Sequence, residues 1–125
     1  MTFVNTVAGI HARMLAVIRK DLAQVSLHTT PGGRHLLPVR ASDRSLYVRT
    51  IWHGDCARYA INSIRVPEDM EQQGLIQKII DTVTAHAPTS VDELAFELVR
   101  NEYLLRHLLQ HGFEVQDDSC VLKLR

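Results

Sequence analysis

Apolar residues recur at Val4, Val7, Ile10, Met14, Ile18, Leu22 and Val25, while Arg13, Arg19 and Lys20 fall between them. Steps of three and four predict an amphipathic helix over 3–25 with its basic residues nearer solvent. Pro31-Gly32-Gly33 interrupts the pattern as a loop. From His35 the period shortens. His35–Ala41 and Leu46–Trp52, with Leu46, Val48 and Ile51 apolar, read as a hairpin about the Ser42–Ser45 turn. A second turn at His53-Gly54-Asp55 leads to a third strand, Cys56–Val66. Short connections favour antiparallel pairing of all three.

The helical period returns after Pro67-Glu68-Asp69, with Leu75, Ile76, Ile79, Ile80 and Val83 as the stripe. A proline and acids suit a first helical turn. Ala87-Pro88-Thr89 ends that helix, and Val91–Val99 alternates Leu94, Phe96 and Leu98 as a further strand in a mixed sheet. Asn101 is an N-cap for a helix over Glu102–His111, with Leu104, Leu105, Leu108 and Leu109 inward, and Gly112 is a left-handed stop. Phe113–Val115 and Cys120–Leu124 close a hairpin around Gln116–Ser119. No repeat, linker or low-complexity tract divides the chain, so a single α/β domain over 1–125 is expected.

Composition narrows the class. At 125 residues, 46% hydrophobic and 22% charged, the chain has the balance of a globular domain able to bury a core. No apolar run reaches the roughly 18–20 residues of a membrane span. The first residues lack the basic and apolar regions of a secretory signal, and Cys56 and Cys120 stand far apart. A reduced, cytoplasmic protein is the expectation. Net charge is zero but polarised: residues 1–65 hold nine Lys/Arg against three acids, residues 66–125 five against eleven. That asymmetry fits an anionic ligand or self-association, or simply charges that neutralise one another in the fold.

The order from Val66 onward resembles the C-terminal half of the GNAT (Gcn5-related N-acetyltransferase) fold. Laid on the family's turn of form Val-x-Pro-x-x-Arg-Gly-x-Gly-x-Gly/Ala, Val66 takes the valine and Gly74 the first glycine of the core Gln/Arg-x-x-Gly-x-Gly/Ala. Glu71 falls on the Gln/Arg, Ile76 on the second Gly/Ala, and Ile79-Ile80 on the helix's apolar pair. Asn101 followed by Gly112-Phe113 keeps the family's later spacing. The resemblance covers about 70 residues, Cys56 to Arg125, and the hairpin before them loosely. It implies a mixed, mostly antiparallel sheet with helices on both faces and a V-shaped opening beside the third and fourth strands. It further implies an acetyl-CoA-dependent N-acetyltransferase in which a substrate amine attacks the thioester directly. Backbone N–H groups at the helix start would cradle the cofactor's pyrophosphate. By carry-over, acetyl-CoA or CoA would lie along Ile64 and Val66 and over Gln72, Gln73, Gly74, Leu75 and Ile76, with Asn101 near the pantetheine arm.

Three positions depart from the family pattern. Glu71, beside Glu68 and Asp69, is a carboxylate where a neutral or cationic side chain is usual. Ile76 is β-branched where a glycine or alanine packs. Leu108 occupies the place of the tyrosine that often serves as general acid, and leucine has no proton to donate. Tyr59 and Tyr103 are the substitutes available. These departures define a second reading, a GNAT-fold module without chemistry that binds a protein partner or a second copy of itself.

Other clusters carry less. His107 and His111, four apart on one helix, have zinc-chelating spacing but no third ligand in the sequence, so a solvated helix face is preferred and no metal is expected. His53 and Cys56 flank a Gly-Asp turn and could pair as base and nucleophile, with no orienting partner to name. Arg34, Arg40, Arg44 and Arg49 with Tyr47 and Trp52 could attract phosphate, either a cofactor's 3′-phosphate or nucleic acid, the latter defining a third reading as a nucleic-acid-binding accessory protein. Its aromatic interleaving is thin, and a solvated strand face is the plainer account.

Overall fold

The computed structural model describes residues 7–25, 33–41, 44–65, 74–97, 99 and 101–125, with side-chain detail from residue 48 onward and along most of the first helix. In chain order the elements are α1 (Val7–Val25), β1 (Gly33–Ala41), β2 (Arg44–His53), β3 (Arg58–Arg65), α2 (Leu75–His86), β4 (Glu93–Phe96), α3 (Glu102–Gln110), β5 (Glu114–Gln116) and β6 (Ser119–Lys123). Six strands form one mixed sheet in the order β1-β2-β3-β4-β6-β5. Every neighbouring pair is antiparallel except β3 and β4, which run parallel through Arg58–Ile61 against Glu93–Phe96. Val4, Val66, the Pro67–Asp69 helix start, Glu71, Gln72 and Gln73 fall outside the described residues, as do the side chains of Arg34, Arg40, Arg44 and Tyr47.

Helix ends follow local chemistry. Gly74 stands at φ +83° immediately before α2, a left-handed conformation that glycine adopts without a Cβ penalty. α2 ends where Ala87, extended before Pro88, can no longer continue it. Asn101 caps α3 by accepting the Leu104 amide at 3.0 Å, and Gly112 follows at φ +89° as the expected stop. The turn between β5 and β6 places Asp117 at φ 56°, a conformation aspartate tolerates better than most residues.

The core lies on one face of the sheet. Strand alternation and register put Thr50 and Trp52 of β2, Tyr59 and Ile61 of β3, Leu94 and Phe96 of β4 and Cys120 of β6 on that side. Met14, Ile18, Leu22 and Val25 of α1, Leu75, Ile79, Ile80 and Val83 of α2, and Leu108 of α3 join the same cluster. Phe113 meets Phe96 edge-on at 5.7 Å between centroids. α1 packs along α2, and α3 is tied to α2 by a 3.1 Å hydrogen bond between His107 Nε2 and Gln77 Oε1. The expectation of helices on both faces is therefore corrected: the three described helices share one face. Apolar periodicity marks the buried side of each helix but carries no information about which side of the sheet it covers. Leu109 also departs from expectation, standing 47% exposed on the outer side of α3. No helix among the described residues is long and apolar enough to cross a membrane.

Candidate functional site

The parallel strands are bound tightly at one end and part at the other. At the amino end, Ala57, held at φ 53°, accepts the amides of Asp92 (2.8 Å) and Glu93 (3.2 Å) through its carbonyl. At the carboxyl end, the last link is the Glu97 amide donating to Ile61 O at 2.9 Å. β3 continues for four more residues, Asn62–Arg65, paired with β2 on one side and with no described strand on the other. The β2 register slips here: Thr50 faces Ile61 and Arg49 faces Ser63, so Asn62 is an extra residue in β3. Such a bulge bends its strand and redirects side chains, and bulges are frequent beside active sites. Among the described residues no pairing joins β3 to β4 beyond this point, which leaves a fork between them.

Two helices begin at this end of the parallel pair, because each follows the carboxyl end of its strand. In α2 the Lys78 amide donates to Gly74 O at 3.0 Å, and the amides of Leu75, Ile76 and Gln77 stand in the first turn, ahead of the first i→i+4 bond among the described residues. No acid occupies the first turn of α2, and Gly74 is exposed with open space where a Cβ would stand. Ile76 is half-buried and packs against the core. Its side chain is thus directed inward while its amide belongs to the first turn of α2. Asn101, at the α3 start, is exposed, with its side-chain oxygen engaged in the cap. Ile64, on the unpaired stretch of β3, is half-buried and also packs against the core.

On the face without described helices a polar bridge runs diagonally, from His53, level with Arg58 and Glu93 at the amino end of the parallel pair, to Glu97 and Asn62 at its carboxyl end. His53 Nε2 and Glu97 Oε2 are 3.0 Å apart, and Asn62 Nδ2 donates to Glu97 Oε1 at 3.0 Å. An ionised carboxylate can only accept, so the His53 ring donates to Glu97 from Nε2. His53 is 34% exposed and Glu97 17%, so the pair meets solvent without being dissolved in it. Beneath it sit Ala60 and Ala95, fully buried together with Val121. Their small side chains leave the room in which longer ones lie flat across three strands. A second bridge, Arg58 Nε to Glu93 Oε1 at 2.9 Å, extends to Gln116 on β5 at 3.3 Å. Here the basic first half of the chain meets the acidic second half directly.

The tyrosines lie elsewhere. Tyr59 Oη donates to Asp21 Oδ2 at 2.7 Å inside the core, and Thr50 Oγ1 donates to the same oxygen at 2.8 Å. Burial first, and Asp21 second, push the Tyr59 hydroxyl well above the ordinary tyrosine range. Tyr103 is half-exposed on α3 near His107. Leu108 is fully buried, which makes it a core residue.

Cys56 and His53 do not form a nucleophile–base pair. The thiol lies 3.8 Å from the His53 carbonyl oxygen, and burial pushes its pKa up, which keeps it protonated. His107 and His111 stack at 4.3 Å between centroids, with His111 Nδ1 2.8 Å from the His107 carbonyl. Among the described residues no group of three side chains could hold a metal. The residue that sequence reasoning missed is Glu97, which reads there as an unremarked polar position at a strand end. Only its convergence with His53, 44 residues earlier, gives it significance.

Comparison with protein-family models, with curated proteins and with solved structures gives no match in any of the three.

Proposed function

We propose that this chain is a GNAT-like, acetyl-CoA-dependent N-acyltransferase. The observation that carries the reading is the fork: a parallel pair that parts at Ile61 and Phe96, with a bulge at Asn62 and the Gly74 helix start at the same end. An extended thioester arm can use the unpaired edge of Asn62–Arg65 as a strand would. The amides of Leu75, Ile76 and Gln77, in the first turn of α2, would offer donors to phosphate oxygens, with the helix dipole favouring negative charge. Ile64, Val66, Gln72, Gln73, Gly74, Leu75 and Ile76 are the proposed cofactor contacts, with Asn101 beside the arm. The substrate is a small-molecule or protein amine, and the site of action the cytoplasm. Binding aligns the two reactants, which is the larger part of the catalysis such a direct transfer requires.

Thermal denaturation with and without acetyl-CoA tests this. Cofactor at about 100 times its dissociation constant should raise stability by roughly 2.7 kcal/mol. No shift at millimolar acetyl-CoA would sink the reading.

A second reading is favoured by Leu108, fully buried where the resemblance implies an acid, and by Tyr59, whose proton is committed to Asp21. In it the fork holds CoA, or a protein partner, without transfer. A saturable acetyl-CoA shift with no acetylation of any offered amine is its expected signature.

A further inference from the structure

α2 begins with two features that its own stability does not favour. Lys78, the fourth residue of the helix, is a cation in the first turn, where the helix dipole repels positive charge. A helical side chain leans toward the N-terminus of its helix, which carries the ammonium back along that turn. There Lys78 Nζ lies 3.2 Å from Nδ1 of His11, on α1. An ammonium can only donate, so Nδ1 accepts and the ring proton stands on Nε2. His11 is 1% exposed, and that Nε2 is buried with no partner among the described residues. A buried donor left unpaired is costly.

The charge is also uncompensated. Asp81, the one acid of α2, accepts from Gln77 Nε2 at 2.8 Å, and among the described residues no carboxylate pairs with Lys78. Burial first, and Lys78 second, hold the His11 pKa below its ordinary value, so the ring is neutral. It supplies a lone pair without a negative charge, and thereby fixes the ammonium without neutralising it. Local rules broken together at one place are an expected mark of function. The group missing from this arrangement is an anion.

We propose that the ammonium of Lys78, held at the start of α2 by His11, binds a phosphate group of the cofactor. The inference deepens the acyltransferase reading and rests on it. Of the three protons on Nζ, one goes to His11 and two remain for phosphate oxygens, beside the first-turn amides of Leu75, Ile76 and Gln77. Lys78 is exposed, so the anion meets it from solvent. His11 touches no ligand; it acts through Lys78 and is a positioning residue.

The test is calorimetric titration with acetyl-CoA and with inorganic pyrophosphate, on wild type, Lys78→Met, Lys78→Arg, His11→Leu and His11→Asn. Thermal denaturation without ligand reports whether each variant folds, and the exposed Lys78 can be replaced without disturbing the core. Lys78→Met should weaken both ligands about tenfold, the effect of losing one charge-assisted hydrogen bond, and Lys78→Arg should keep most of the affinity. His11→Asn, whose side-chain oxygen can take the place of Nδ1, should bind nearly as wild type does, while His11→Leu should bind more weakly. If Lys78→Met or a folded His11→Leu matches wild type for acetyl-CoA, the inference is overturned and the acyltransferase reading stands. Lys78-dependent binding of pyrophosphate with no binding of acetyl-CoA would sink that reading and keep the anion site. A wild type that binds neither ligand removes both.

Discussion

On the helix-covered face, the central strands present Thr50, Trp52, Tyr59, Ile61, Leu94 and Phe96; on the opposite face the same strands present His53, Arg58, Ala60, Asn62, Glu93, Ala95 and Glu97. The first set is large, apolar and closed. Its few polar members are satisfied inside, Thr50 and Tyr59 on Asp21, while His11 Nε2 and Trp52 Nε1 are buried with no partner among the described residues. The second set is small or charged, linked by hydrogen bonds that reach solvent. The large buried side chains are thus concentrated on one face, and paired polar groups on the other. The same strands serve both purposes because alternate residues point in opposite directions.

Substitutions on the two faces should therefore have unequal costs. Phe96→Ala removes a fully buried ring packed edge-on against Phe113 and should lower unfolding free energy by about 3–5 kcal/mol, read by urea denaturation. Asp21→Ala strands the buried hydroxyls of Thr50 and Tyr59 and should cost about 2–3 kcal/mol. Asn101→Ala removes the cap of α3 for about 1 kcal/mol. Glu97→Gln, on the open face, should change stability by less than about 1 kcal/mol, because a part-exposed pair contributes little. A Glu97→Gln cost equal to that of Phe96→Ala would break the division between the faces.

Acid sharpens the same contrast. His11 is buried, and desolvation first, then the Lys78 ammonium 3.2 Å from Nδ1, hold its pKa below the ordinary value. The unfolded chain binds that proton more readily than the folded one. The neutral form's contribution is therefore full above the unfolded histidine value, about 6.5, and is lost as pH falls below it. Burial and the neighbouring His111 lower His107 in the same direction. Denaturation midpoints should fall between pH 7.5 and 5.5, and His11→Gln should reduce that difference.

Much of the fold is legible in the sequence. The stripes of α1 and α2, the three-strand meander, the Asn101 cap and the left-handed Gly112 follow from period and from local hydrogen bonding. The β3 strand is shorter than Cys56–Val66 at its start, because Cys56 and Ala57 belong to the turn that precedes it. What the sequence hides is relational. Nothing near Asn62 signals a bulge, since the extra residue is defined only against β2. Likewise His53 stands beside a turn with no orienting neighbour in the chain, and its partner Glu97 arrives from the far side of α2 through the parallel pairing. Ile76 conflicts with a phosphate cradle when read by residue type, yet the structure packs its side chain against the core.

Backbone amide NMR during titration with acetyl-CoA addresses the fork most directly. Saturable shifts at Ile64, Gly74, Leu75, Ile76 and Asn101, with little change at Cys120 and Val121, are the predicted result. Unchanged spectra at millimolar cofactor, or shifts confined to the β5–β6 hairpin, would contradict it.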